Sequence, residues 1–596
     1  MRLLKSSDEG NRILRGSFYV NMFAAIVSSL TTSIGSLIDG VIIGQFLGVD
    51  SMAAFGLATP VLLVFAIFGA VVASGARNRF TRLVGKGDMN GARAVFTLSM
   101  ILTVGMSTFM MLIVFIFSTP ICQMLGATGH AAHLMEKTRN YLLGISIGLP
   151  AMNAARVLAV YMSIDNDRRL PVMAAMVLTI VDIALDVLFA IKGMDTFAMG
   201  LATSLSHYAA LFVLLTHFNR KDRLLRLYKG RLQWKSAWSM LVKGLPMGVG
   251  RVANTARSII LNRILAITAS ACCIAAYSVH RQADSLLNPF VFGMMDVVIM
   301  LSGILVGEEN RPMLKRLTKD YMAAIATLIL GISILFWFLS PLFSSFFFRD
   351  DPEAYADGIR AARAYALGMP FYTVCRSYEG YMQGRGKTKA ALWIAFLSDG
   401  GYLVLAAFLF LPVLHADAVW YAFPISQIFT LLTITIMIIW QNRKAGVHPR
   451  NFWDWMLALP QDFDVAEEDR IDRTISSLEE IVDLSQAAWH FCDDHGCDEK
   501  RKYAISVAVE ELATLTILSN FQEGRRNTID MRILKKGDEY ILRIRDDCRI
   551  FDPVKQLELY NGNVPLDHIG LQIAFQSAKD VQYTTILKLN NLVLRV

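Results

Sequence analysis

Charge is scarce in this chain. Only 18% of its 596 residues are Asp, Glu, Lys or Arg, where a water-soluble protein carries about a quarter, so a soluble fold throughout is excluded. Cysteine is sparse as well. The seven residues, including the adjacent Cys272 and Cys273 and the more C-terminal Cys492, Cys497 and Cys548, show no spacing of a metal site or a redox pair. No short apolar core with a small-residue cleavage site follows the polar first stretch, so no cleavable signal is expected.

What is abundant is apolar sequence. Hydrophobic residues make up 54% of the chain, and runs of about 20 residues, enough to cross a bilayer, recur twelve times between residues 17 and 440. Several runs exceed that length, which predicts tilted or bent helices. Basic residues collect in alternate loops: Arg77, Arg79, Arg82 and Lys86 in one, Arg220, Lys221, Arg223 and Arg226 in another, and Arg385, Lys387 and Lys389 in a third. The intervening loops, such as LPVLHADAV (411–419), are poor in Lys and Arg. This bias predicts an inner (plasma) membrane protein with both termini cytoplasmic.

The balance changes sign near residue 460. Residues 461–596 hold 17 Lys plus Arg and 25 Asp plus Glu, a net of −8 against +8 for the whole chain, so residues 1–460 carry +16. The excess of basic residues is thus explained by membrane orientation, and nucleic acid is an unnecessary partner. The expected partners are membrane lipid and a small-molecule substrate, with a cytoplasmic regulatory protein a further candidate.

The apolar part is duplicated. YLLGISIGLPAMNAARVLAVYM (141–162) and YALGMPFYTVCRSYEGYM (365–382) align with one gap, placing Arg156 and Arg376, and likewise Tyr161 and Tyr381, 220 positions apart. VGKGD (84–88) returns as VGEEN (306–310) at an offset of 222. We therefore expect an N-terminal lobe over 1–219, a C-terminal lobe over 220–445, a linker over 446–460 and a cytoplasmic domain over 461–596. Six spans per lobe make the repeats parallel, an arrangement typical of transporters that rock about a central site. The fold class expected is all-α and polytopic, followed by a cytoplasmic α/β sandwich.

Four polar positions interrupt apolar runs in the first half: Asp39 in SLIDGVIIG (36–44), Asp182 and Asp186 in TIVDIALDVLF (179–189), and Thr203 in MGLATSLSH (199–207). Carboxylates in a bilayer are costly and usually serve a function. Spaced by four, Asp182 and Asp186 share one helix face. Carboxylates with a hydroxyl suit a hard cation such as Na⁺, or share a proton; a pairing of the acids with Arg156 is the structural alternative. Further candidate cavity charges are Arg376 and Glu379, three apart and able to pair along one face, and Asp296. Asp296 and Asp399 are placed either lining the second lobe or near an interface, and His207 is read as a polar helix residue.

SLIDGVIIGQFLGVDSMAAFGLATPV (36–61), RLVGKGDMNGARAV (82–95), VDIALDVLF and GLATSLS together resemble the multidrug and toxic compound extrusion (MATE) transporters over residues 12 to 442. The resemblance implies a secondary antiporter that exports small organic, often cationic, compounds in exchange for Na⁺ or H⁺, and no enzyme. It also implies that Asp39, Asp182, Asp186 and Thr203 form the ion site. Asp182 stands where the family pattern has Asn, which leaves the ion open. Two rivals are a lipid-linked sugar flippase of the same superfamily and a membrane-anchored signalling protein.

Beyond residue 460, amphipathic helices are predicted over 474–496 and 499–519, strands over 527–536 and 539–547, and a hairpin turning at Asn590 and Asn591. VAVEEL (507–512), RDDCRIFDP (545–553) and HIGLQIAFQSAKDVQYTTILKLNNLVLRV (568–596) resemble the histidine-kinase-like ATPase domain of anti-sigma-factor kinases. By that resemblance Glu511 or Glu510 stands near the attacking water, Asp546 reads the adenine and Gly570 belongs to the phosphate lid. The metal-binding Asn position is Leu515, and Asp-x-Gly-x-Gly becomes Asp546, Asp547, Cys548, Arg549, Ile550. Leu cannot hold Mg²⁺, so the expectation is a degenerate, regulatory form with ATP binding left open and no resident cofactor.

Overall fold

The computed structural model describes residues 14–31, 33, 49–125, 134–220, 224–230, 232, 234–268, 271–346, 352–447, 449, 451–521, 528–548, 551–559, 565, 569–586 and 589–596. The apolar runs form long helices, because a backbone in lipid must satisfy its own hydrogen bonds. They are α1 (14–31), α2 (Val49–Lys86), α3 (Met89–Met124), α4 (Met135–Ser146), α5 (Leu149–Ile164), α6 (Arg169–Ile191) and α7 (Thr196–Leu215). After the basic loop follow α8 (Trp234–Thr268), α9 (Ala271–Gly307), α10 (Arg311–Ala324), α11 (Leu330–Ser345), α12 (Pro352–Gly384), α13 (Thr388–Phe396), α14 (Tyr402–Leu414) and α15 (Ala418–Lys444).

Seven helices among the described residues are each long and apolar enough to cross a membrane, and the pair α4 and α5, bent by 45°, makes an eighth. Pro150 at the start of α5 accounts for the break, since it lacks the N–H that would continue the α4 ladder. Wider π-type turns at Ile325–Ile329 and Leu397–Gly401 join α10 to α11 and α13 to α14. Ile116, Phe212, Phe338 and Val413 are largely exposed on the outer faces, an apolar surface suited to lipid rather than water. This is a multi-pass membrane fold.

At the end of the bundle nearest the C-terminal domain, α2 and α9 make backbone contact. A Cβ on Gly85 would lie 3.0 Å from the Cα of Gly307, and one on Gly307 would lie 2.9 Å from the Cα of Gly85. These glycines hold matching positions in VGKGD and VGEEN, 222 apart. Equivalent residues of the two repeats thus meet each other, as they must on a pseudo-twofold axis.

A short helix, α16 (Phe452–Leu457), leads to β1 (Arg470–Ile475), α17 (Leu478–Asp494), α18 (Glu499–Asn520), β2 (Ile529–Lys536), β3 (Glu539–Asp546), α19 (Pro553–Leu559), α20 (Ile569–Ser577), β4 (Asp580–Ile586) and β5 (Leu589–Arg595). The strands form one antiparallel sheet in the order β1-β2-β3-β5-β4. Ile529, Met531, Ile533, Leu542, Ile544, Leu592 and Leu594 pack with Ile481, Leu484, Val509 and Leu512 into its core, as period-two and helical patterns require.

Two sequence expectations need correcting. The stretch from Thr474 enters as strand β1, and the helix begins only at Leu478. The final hairpin turns between Ile586 and Leu589, which pair directly, so Asn590 and Asn591 lie within β5 opposite Asp546 and Arg545. The Asn590 side chain donates to Asp546 at 2.7 Å, a tertiary bond that a turn residue would not make.

Candidate functional site

The first lobe presents its acids on α6. Asp182 and Asp186, one turn apart, are 3% and 1% exposed and point toward the bundle, as their spacing requires. The hydroxyls of Ser206 and Thr203 on α7 face the Asp182 carboxylate, and Ser206 is anchored by donating to the Thr203 carbonyl at 2.8 Å. The Oδ1 of Asp182 is buried with no hydrogen-bond donor among the described residues, the condition in which a carboxylate gains most from a proton or a cation. Asp39 lies outside the described residues.

Sequence reasoning missed Ser206. Its signal was present, three residues after Thr203 in TSLS, but serine is too common in membrane helices to stand out.

Arg156 is engaged on another helix. Its Nη1 donates to the Ala66 carbonyl at 2.8 Å, across the packing of α5 on α2. Asp296 belongs to the interface between lobes: its Oδ1 lies 2.7 Å from Arg77 Nη1 on α2. A cavity of about 140 Å³ adjoins this pair, lined also by Asn21, Ser29, Ser163 and Arg168.

The second lobe holds a fully buried charge network. Arg376 Nη1 is 2.6 Å from Glu379 and 3.0 Å from Asp399, which sits in the π-type turn of Leu397–Gly401. Tyr372 donates to Asp399 at 3.0 Å, and the Gln383 amide donates to Glu379 at 2.8 Å. Gln383 also reaches the first lobe, accepting from Ser74 at 2.9 Å through its side chain and from Asn78 through its carbonyl. One chain of polar contacts therefore runs from α2 into the core of the second lobe. Among the described residues, no group of three or more His, Cys, Asp or Glu is arranged to hold a metal ion.

In the C-terminal domain, Asp546 is buried at the end of β3, where it accepts from the Asn590 side chain at 2.7 Å and from the Cys548 amide at 2.9 Å. Burial pushes its carboxyl up to about 6, against the lowering effect of these hydrogen bonds. The adjoining cavity is only about 20 Å³ and is lined by Leu512, Leu515, Phe551, Pro553 and Leu592. Gly570 packs on Glu511, whose carboxylate occupies the space a Cβ would need. Among the described residues Asp546 is already engaged, the wall is largely apolar, and no cation lines the cavity.

A model of the MatE family matches residues 24–188 and again 246–408. The two matches cover more than half of the chain and begin 222 positions apart, the offset that relates Gly85 to Gly307. The chain belongs to the MatE family. Its two lobes are the two MatE repeats.

Among curated proteins, it is 23% identical over 235 residues to the "Probable multidrug resistance protein YoeA" of Bacillus subtilis (strain 168), a match spanning 38% of this chain and half the length of that relative. The crystal structure of a point mutant of the Vibrio cholerae MATE transporter VcmN superposes with a TM-score of 0.67 at 14% identity, covering 73% of this chain and 98% of that one. A MOP superfamily transporter from Pyrococcus furiosus, described as having a binding pocket of reverse polarity, superposes with a TM-score of 0.64 at 18% identity, covering 71% and 96%. The fold they share with this chain takes up about the portion that the two MatE lobes make of it.

Proposed function

We propose that this MatE protein is a secondary antiporter that exports small organic cations in exchange for Na⁺ or H⁺ through two six-helix lobes. Counting α1, α2, α8 and α12 with the eight strongly apolar spans gives the twelve crossings of that reading, with both termini in the cytoplasm of an inner-membrane protein. The observation that carries it is the α6–α7 site, where Asp182 has a buried oxygen with no donor among the described residues, beside Thr203 and Ser206, and Asp186 lies one turn on. Occupancy of this site by the ion, with Asp39 as a further ligand, would neutralise the carboxylates and let the lobe change its packing.

Counterflow in proteoliposomes with imposed Na⁺ or H⁺ gradients tests it. Gradient-driven efflux should fall on the order of 5- to 150-fold in Asp186→Asn, the span of ordinary coupling energies. Unchanged efflux would reject the site.

We also read the C-terminal domain as a regulatory pseudo-ATPase of the histidine-kinase-like type. The engaged Asp546 and Leu515 at the metal position support regulation over catalysis. Fluorescent nucleotide titration of the full chain should show no saturable binding.

A further inference from the structure

The sheet domain rests on both lobes at once, and on the two loops that the internal repeat makes equivalent. On the second lobe, Glu308 of VGEEN is buried and ion-paired to Arg543 at 2.9 Å and Arg545 at 2.5 Å on β3. Glu309 pairs with Lys536 at 2.6 Å, and Arg311 donates to the Pro460 carbonyl at 2.5 Å. On the first lobe, the contact is slighter. Arg595 at the end of β5 donates to the Lys86 carbonyl of VGKGD at 3.1 Å, and Gln582 on β4 abuts Gly87.

Among the described residues, the sheet's arginine-bearing face thus holds the second lobe by buried ion pairs and the first by a hydrogen bond and a packing contact. Where α1, α9 and β5 converge, a cavity of about 30 Å³ remains between Leu14, Ile304 and Leu589, so the junction is less tightly packed than a domain core.

We propose that the C-terminal domain is an autoinhibitory clasp that holds the cytoplasmic ends of the lobes together, staying fixed to the second lobe and releasing the first when that side opens. The proposal rests on the two-lobe carrier reading above. Opening toward the cytoplasm has to part Gly85 from Gly307, and the sheet bridges that same gap. Of the two attachments, the one at Lys86 and Gly87 is the weaker and yields first.

Spin-label distances in the full chain in lipid nanodiscs test this, with labels at the exposed Lys86, Lys387 and Lys579 placed in pairs. Arg595→Ala with Gln582→Ala should add a longer Lys86–Lys387 distance to severalfold higher population while Lys387–Lys579 keeps one narrow distance. Glu308→Arg should spread the Lys387–Lys579 distance, and the exchange Glu308→Arg with Arg545→Glu should narrow it again. If Glu308→Arg does not fold, Arg543→Gln with Arg545→Gln serves for the same arm. An unchanged Lys86–Lys387 distribution in the first variant, or an unchanged Lys387–Lys579 distribution in the second, overturns the clasp. Because these readouts are distances, absent efflux with the expected distances would refute the carrier reading and leave the clasp standing.

Discussion

At the scale of single residues, the buried charges of the two lobes pose opposite problems. Asp182 faces the hydroxyls of Thr203 and Ser206, whereas Arg376 is held between Glu379 and Asp399. Removing the guanidinium leaves two carboxylates buried beside each other. Arg376→Ala should therefore cost about 3–5 kcal/mol, read as a lowered midpoint of thermal unfolding in detergent, and adding Glu379→Gln should recover part of the loss.

Asp546 gives a pH test outside the membrane. Its carboxyl is raised to about 6 by burial, so its native site favours the protonated form. That contribution is full below the unfolded value of about 3.9 and is lost as pH rises through about 6. Asp546→Asn should flatten the pH dependence of the domain's unfolding across that window, measured by tryptophan fluorescence on the full chain.

The acids of α6 were legible because a carboxylate inside an apolar run is conspicuous in any sequence. The pairing of Arg376 with Glu379, three residues on, was legible in the same way, but the partner of Asp296 and the second partner of Arg376 were not: Arg77 lies 219 positions from Asp296, and Asp399 is 23 from Arg376 on another helix. Such contacts come from tertiary packing, to which periodicity is blind.

At the scale of elements, the crossing of α2 and α9 depends on two side chains that are absent. Gly307→Leu places bulk where the Gly85 backbone lies, and overpacking of this kind costs about 1–3 kcal/mol. The cost falls on the closed arrangement alone, so the variant should shift label distances between Lys86 and Lys387 to longer values.

The strongly apolar helices were legible in their order because length and hydropathy mark a membrane span. The strand edges of the C-terminal domain were less so. Asn590-Asn591 has the composition of a turn, yet its first amide is drawn into the sheet by Asp546. Strand β1 was hidden because RIDRTI has only two apolar residues, Ile471 and Ile475, too few to show the alternation that marks a strand.

At the scale of the whole molecule, docking of the sheet domain depends on Glu308. Burial raises its carboxyl, but Arg543 and Arg545 outweigh this and hold it below the usual carboxylate range, with Arg532 adding to their effect. A lowered acid contributes at and above its ordinary value and loses that contribution as pH falls through its native one. Acidification well below the ordinary glutamate value of about 4.3 should detach the domain, measured as faster limited proteolysis in the 446–470 region. Added salt should have little effect on the buried Glu308 pairs while weakening the exposed Lys536–Glu309 pair.

The carbonyls that end α16 are held by α12 and the residue just beyond it. Tyr381 donates to Leu457 at 2.8 Å, and Arg385 donates to Leu457 at 2.9 Å and Ala458 at 2.8 Å. Arg376 lies on that same helix, nine residues before Arg385, about 13 Å along its axis. A helix is stiff over that length, so α12 works as a connecting rod with one end in the ion-paired core and the other on the root of the C-terminal sheet domain. Any turn of the rod in lipid is felt in water without a messenger between them.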